Sequence, residues 1–200
     1  MTQRDLQGVA GPGSPCGIPE EAGEIERALA GDEAAFDTLV KRYECPVRSL
    51  LHRLTGHPED AEDLAQDTFI RVYTHLGAFR GGSSLKTWIF KIATNLALDQ
   101  MRRRHRRPIV RPLEQTDTGR LSGARGQTPL ARLSSKERAE ALTRALKALP
   151  FQQRAALLLK VQEGMNYEEI ASVLETSANS IKSSIHLARR KLMTMVGELR

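Results

Sequence analysis

Apolar residues recur at helical spacing in two separate stretches of the chain, and no stretch shows the two-residue alternation of a strand. In the first, Phe36, Leu39, Val40, Tyr43, Val47, Leu50, Leu51 and Leu54 follow Asp32, a residue suited to cap a helix N-terminus. Pro46 falls inside this run, so either one helix bends there or two shorter helices meet. A second helix starts near Pro58, a favoured first-turn residue, with Ala61, Leu64, Ala65, Thr68, Phe69, Val72 and Leu76 on one stripe. A third runs from about Ser84 with Leu85, Trp88, Ile89, Ile92, Ala93 and Leu96 apolar, and ends at an arginine block before Pro108.

The second stretch places Leu142, Ala145, Leu146 and Leu149 on one helix and Arg154 to Gln162 on another, broken at Glu163-Gly164. Asn166 with Glu169 three residues on forms a capping box that opens a helix from Tyr167 to Leu174. The turn Glu175 to Ala178 leads into a last helix from Asn179 to about Met195. Flanking these stretches, residues 1–23 are rich in Gly and Pro and read as a disordered tail, and residues 108–135 read as a flexible linker. The expectation is an all-α chain of two small helical domains, 24–107 and 136–200. Few aromatics and an abundance of Leu, Ala, Arg and Glu agree with it.

The short helix from Tyr167, the turn and the longer helix beyond have the layout of a helix-turn-helix. Ile170, Ala171, Leu174, Ile181, Ile185 and Ala188 would form its apolar joint. Asn179, Lys182, Ser183, His186 and Arg189 then face outward, with donors and acceptors of the size that reads base edges and phosphates.

Charge adds two further surfaces. The formal net charge of +6 favours a polyanionic partner, and Arg102, Arg103, Arg104, His105, Arg106 and Arg107 concentrate it in one block. Lys91, Asn95, Asp99 and Arg102 or Arg103 lead into that block at helical spacing; Trp88 beside them suits either the core or stacking on an unpaired base. Asp60, Glu62, Asp63 and Asp67 are acidic on one early helix. The helix dipole accounts for one or two of them, but Asp63 and Asp67 repel at a spacing of four, so a basic partner would relieve them. A solvated face is the competing account.

Cys16 and Cys45 lack the spacing of a zinc site or a disulfide framework, so neither is suggested, and no apolar run is long enough to span a bilayer. A cytoplasmic chain without membrane insertion, cofactor or metal is the expectation. No phosphate loop, HExxH or GxSxG motif is present, so catalysis is not expected.

DAEDLAQDTFIRVY (Asp60 to Tyr73), FRGGSSLKTWIFKIATNLALDQMRRR (Phe79 to Arg104) and LPFQQRAALLL with YEEIASVLETSANSIKSSIHLARRKL (within Leu149 to Leu192) resemble, in order, the motifs of extracytoplasmic-function sigma factors. The resemblance covers nearly everything outside the tail and linker. It implies that the first domain is sigma region 2, that Asp60, Asp63, Gln66 and Asp67 dock on the β′ clamp helices of the RNA polymerase core, and that the loop Phe79 to Ser84 captures a base flipped from the −10 element. Phe79, Arg80, Ser83, Trp88, Lys91, Asn95, Asp99, Arg102 and Arg103 would form the −10 surface. It further implies that the second domain is region 4, packing on the β flap and reading the −35 duplex of promoter DNA through Asn179, Lys182, Ser183, His186 and Arg189, and that an anti-sigma factor controls the whole. The chain departs from the family in carrying Ser184 and Leu187 where relatives often have basic residues. A stand-alone helix-turn-helix regulator would explain only the second domain, and a core-binding adaptor would leave the basic surfaces without a use.

Overall fold

The computed structural model describes residues 19–106 and 135–197, and these form eight α-helices, one short 3-10 turn and no strand. The all-α expectation therefore holds. Residues 1–18 of the expected tail, Arg107 at the end of the first expected domain and residues 108–134 of the expected linker lie outside the described residues.

The first helix departs from the expectation. Residues 19–23, expected in the tail, begin α1 (Pro19–Leu29). Its Glu21 is buried and accepts a hydrogen bond from the Tyr43 hydroxyl, while the Glu24 carboxylate lies 2.7 Å from the Arg42 guanidinium. Burial, then the bond to Glu21, pushes the Tyr43 phenol well above its ordinary pKa. Ile25 and Ala28 lie against the core from the same helix.

In α2 (Glu33–Thr55) the Asp32 carboxylate caps the first turn by accepting from the Ala35 N–H at 3.2 Å. Pro46 sits inside this single helix, which resolves the choice between one helix and two. Gly56 ends it in the left-handed region at φ 76°, where its N–H bonds to the His52 carbonyl. Pro58 opens α3 (Pro58–His75), and a turn at Leu76–Ala78 leads to the loop before α4 (Leu85–Arg106). The Ser84 hydroxyl accepts from the Thr87 N–H at 3.1 Å and so starts α4 as a cap.

Leu39, Val47, Leu50, Leu51, Val72, Leu85, Ile89 and Phe90 are almost wholly inaccessible, and each such side chain contributes about 1.5–3 kcal/mol on burial. Phe90, Thr87 and Thr94 are buried as well, so α4 is covered on more than the one stripe expected. The reason is that α4 packs on α2 and α3 and also meets a helix of the second domain.

That domain comprises α5 (Ser135–Lys147), α6 (Phe151–Val161), α7 (Tyr167–Val173) and α8 (Ala178–Gly197). On α5, Ala141, Ala145 and Leu146 are buried, whereas Leu142, part of the same apolar pattern, is 43% exposed. The Asn166–Glu169 capping box is formed in both directions, at 2.8 and 2.7 Å. Arg154 of α6 is buried; its guanidinium donates to the Lys147 carbonyl at 3.5 Å, and loss of solvent lowers its pKa.

The domains touch. α7 packs on α4 and α6 on α2, and Gln162 donates to the Ser49 hydroxyl at 2.8 Å. Lys147 crosses Gly56 so closely that a Cβ there would lie 2.1 Å from its Cε.

Candidate functional site

Three polar surfaces are candidates. The first is the outer stripe of α3. Asp63, Gln66 and Asp67 are exposed, and neither aspartate forms an ion pair among the described residues. Asp60 behaves differently: both its oxygens lie 2.6 Å from Arg104, and Gln100 donates to it at 3.1 Å. It ties the start of α3 to the end of α4. Glu62 is similarly engaged with Arg48 at 3.5 Å. The stripe continues into Ile70, 61% exposed, and Tyr73, 59% exposed, whose ring meets Phe36 edge-on at 5.0 Å. Sequence reasoning missed these two. Their spacing of three and six from Asp67 carries the signal, which the inward stripe on the same helix obscured.

The second surface runs from the loop onto α4. Phe79 and Trp88 pack as a tilted pair 5.4 Å apart, both partly buried, so the indole is neither sealed in the core nor free. Arg80 is exposed and Ser83 partly so. Along α4, Trp88, Lys91, Asn95, Asp99 and Arg102 follow one another at helical spacing, as expected, and Arg103 is exposed beside them. Asp99 and Arg102 are 4.0 Å apart. Lys91 is occupied: its ammonium lies 2.9 Å from the Glu175 carboxylate of the second domain.

The third surface is α8. Ile170, Ala171, Leu174, Ile181, Ile185 and Ala188 are all buried and close the angle between α7 and α8 as the sequence implied. Glu175 makes the turn at φ 52°, a left-handed conformation costing about 1–2 kcal/mol for a residue with a Cβ. Ser177 then accepts from the Ser180 N–H at 3.2 Å and starts α8. Asn179, Lys182, Ser183, His186 and Arg189 lie on the outer side, and all five are exposed. Arg190 is exposed as well; sequence reasoning left it out although it lies four residues from His186. Lys182 rests 5.5 Å from the centre of the Tyr167 ring, with Lys160 at 5.0 Å, so the aromatic face gathers both cations. Ser183 donates to the Asn179 carbonyl at 3.1 Å and is held within its own helix. Leu187, 37% exposed, interrupts the charge of this face.

No group of three or more His, Cys, Asp or Glu side chains among the described residues could hold a metal ion, and no described helix is long and apolar enough to cross a membrane.

Residues 39–107 match the sigma-70 region 2 family and residues 139–192 match sigma-70 region 4. Two such helical domains in this order define a sigma-70-type transcription initiation factor. Over 172 residues the chain is 33% identical to the RNA polymerase sigma-H factor of Pseudomonas aeruginosa, covering 84% of this chain and 89% of that one. Over 179 residues it is 32% identical to the ECF RNA polymerase sigma-E factor of Escherichia coli strain K12, covering 88% and 93%. The chain belongs to the extracytoplasmic-function family of RNA polymerase sigma factors.

Among solved structures, the sigma factor RpoE in complex with the anti-sigma factor NepR from Bartonella quintana is similar, with a TM-score of 0.62 and 28% identity over 81% of this chain and 96% of that one. CnrH in complex with the cytosolic domain of CnrY shares the fold, with a TM-score of 0.66 and 24% identity over 88% and 96%.

Proposed function

We propose that this sigma factor docks on the RNA polymerase core through α3, reads and opens the −10 element with α4 and the loop before it, and reads the −35 duplex with α8. Asp63, Gln66 and Asp67 supply charge and hydrogen bonding to a basic partner, and Ile70 and Tyr73 supply the apolar area that gives such a contact its stability. The β′ clamp helices are the partner this stripe fits, and region 4 would pack on the β flap. Phe79 and Trp88 offer aromatic faces to an unpaired base, while Arg102 and Arg103 follow the phosphates. On α8, Lys182, His186, Arg189 and Arg190 contact phosphates and base edges in the major groove. The chain adds selectivity and strand opening; nucleotide addition belongs to the core, and the work is cytoplasmic.

The observation that supports this function best is the pairing, in one chain, of two exposed basic faces with a separate acidic and apolar stripe. A stand-alone regulator needs only the α8 face, and an adaptor needs only the α3 stripe. Control by an anti-sigma factor is part of the proposal, supported by the relative solved with NepR. The test is to mix the purified chain with its matching core and genomic promoter fragments and to map transcript starts. Discrete starts sharing −35 and −10 sequences are expected. Binding to duplex DNA without core, or to core without promoter selectivity, would replace the proposal with the regulator or the adaptor.

A further inference from the structure

The contact between the two domains is fastened by charge at both ends of α7. In the turn before it, Glu163 receives Lys86: the ammonium donates to the Glu163 carbonyl at 2.6 Å and lies 3.4 Å from its carboxylate, whose side chain is only 9% exposed. In the turn after it, Glu175 holds Lys91 at 2.9 Å. Both lysines belong to α4, so the short helix is clasped onto α4 from its two flanking turns. Glu175 holds this position in a backbone conformation that glycine or asparagine adopts with less strain, so local turn chemistry does not account for a glutamate there.

We propose that the free chain closes on itself through this double clasp, and that Glu175 and promoter DNA compete for Lys91. The inference rests on α4 being the −10 surface. Geometry makes the closed form incompatible with promoter engagement. Helix α8 begins three residues after Glu175, hence within about 11 Å of the backbone that carries the carboxylate holding Lys91. Elements centred at −35 and −10 are separated along duplex DNA by about 85 Å, at roughly 3.4 Å per base pair. One chain cannot read both elements while the clasp is shut. The Lys91–Glu175 pair, open to solvent on its Glu175 side, is of the kind that is individually weak and screened by salt, which suits a contact that core and promoter must break.

The test uses the full chain in small-angle X-ray scattering across a salt series. Wild type is expected to be compact at low salt and to expand as salt rises. Glu163→Gln with Glu175→Asn, which keeps a residue tolerant of the left-handed turn, is expected to be expanded at low salt, with the closed-to-open ratio lowered about ten-fold. Exchanging the charges, with Lys86→Glu and Lys91→Glu added to Glu163→Lys and Glu175→Lys, should restore compaction. A scattering curve for the Gln/Asn variant that matches wild type throughout the series would overturn the clasp. Adding Lys91→Ala to the opened variant probes the DNA contact separately. Reduced open-complex formation by its complex with core supports competition at Lys91. Undiminished open-complex formation removes Lys91 from the −10 surface and overturns the competition, while closure of the free chain is decided by the scattering alone.

Discussion

The two domains deploy their charged side chains in opposite ways. In the first, charge is largely spent within the chain: Asp60 on Arg104 and Gln100, Glu62 on Arg48, Glu24 on Arg42, and Lys91 on Glu175. In the second, Lys182, His186, Arg189 and Arg190 stand exposed on α8 over a joint of buried aliphatic residues, and none forms an ion pair among the described residues. A reader of intact duplex needs a rigid helix presented to a groove, and α8 provides it with little reorganisation. A surface proposed to hold an opened strand works next to a partner, and networks of paired charge there would keep the scaffold in register until the strand arrives. On the proposed function, the difference teaches that exposure marks the reading surface in the second domain, whereas in the first the unpaired minority of charges does.

That contrast can be broken most severely at the joint. Ile170→Ala removes a wholly buried side chain and should cost about 2–5 kcal/mol, read by urea denaturation, with −35 recognition falling alongside. Next, Asp63→Lys with Asp67→Lys should weaken core affinity by about 2 kcal/mol, roughly thirty-fold, without moving the thermal midpoint; unchanged affinity would take the stripe out of core docking. Lys182→Ala and Arg189→Ala should each reduce promoter binding by the complex with core by about 1.4 kcal/mol, near ten-fold, and a phosphate-contacting member should lower the salt slope by about one. Sparing of both would move −35 reading elsewhere.

Asp60→Asn should cost about 1 kcal/mol in thermal stability through the loss of its ion pair with the Arg104 Nη2 and leave core affinity intact. The opposite pattern would return Asp60 to the docking stripe. The smallest effect concerns Asp32, whose pKa is lowered first by its hydrogen bond from Arg27 and then by the Ala35 N–H. A depressed carboxylate stabilises the fold above its ordinary titration range, and that contribution is lost as pH falls through the folded value. The stability gap between wild type and Asp32→Asn should therefore narrow on the acid side in thermal melts taken over pH.

Much of this was legible from local chemistry. The caps at Asp32 and Asn166, the proline opening α3 and the apolar joint of α7 and α8 each depend on residues within a few positions of one another, where spacing predicts contact. What escaped prediction depends on distant partners. Helix α1 has Gly23 and only Ile25 and Ala28 to bury partly, and its anchor is a glutamate whose partner Tyr43 lies 22 residues on. The extra burial of α4 comes from a second domain whose approach no periodicity on α4 reports. On the candidate surfaces, sequence pattern placed the polar side chains on their helices but not their partners or exposure. Asp60 is engaged internally, and Ile70 and Tyr73 face out against the rule that apolar residues turn inward.

The anchored first helix bears on where this protein can be cut. Similarity to sigma-70 region 2 begins at Leu39, but the folded unit reaches back at least to Pro19. A fragment expressed from Leu39 would discard α1, the Asp32 cap and the opening turns of α2, stranding the Tyr43 hydroxyl and uncovering the side of the core on which Ile25 and Ala28 rest. The family match and the folded unit thus have different edges here, and a transplanted region 2 must carry its own preamble.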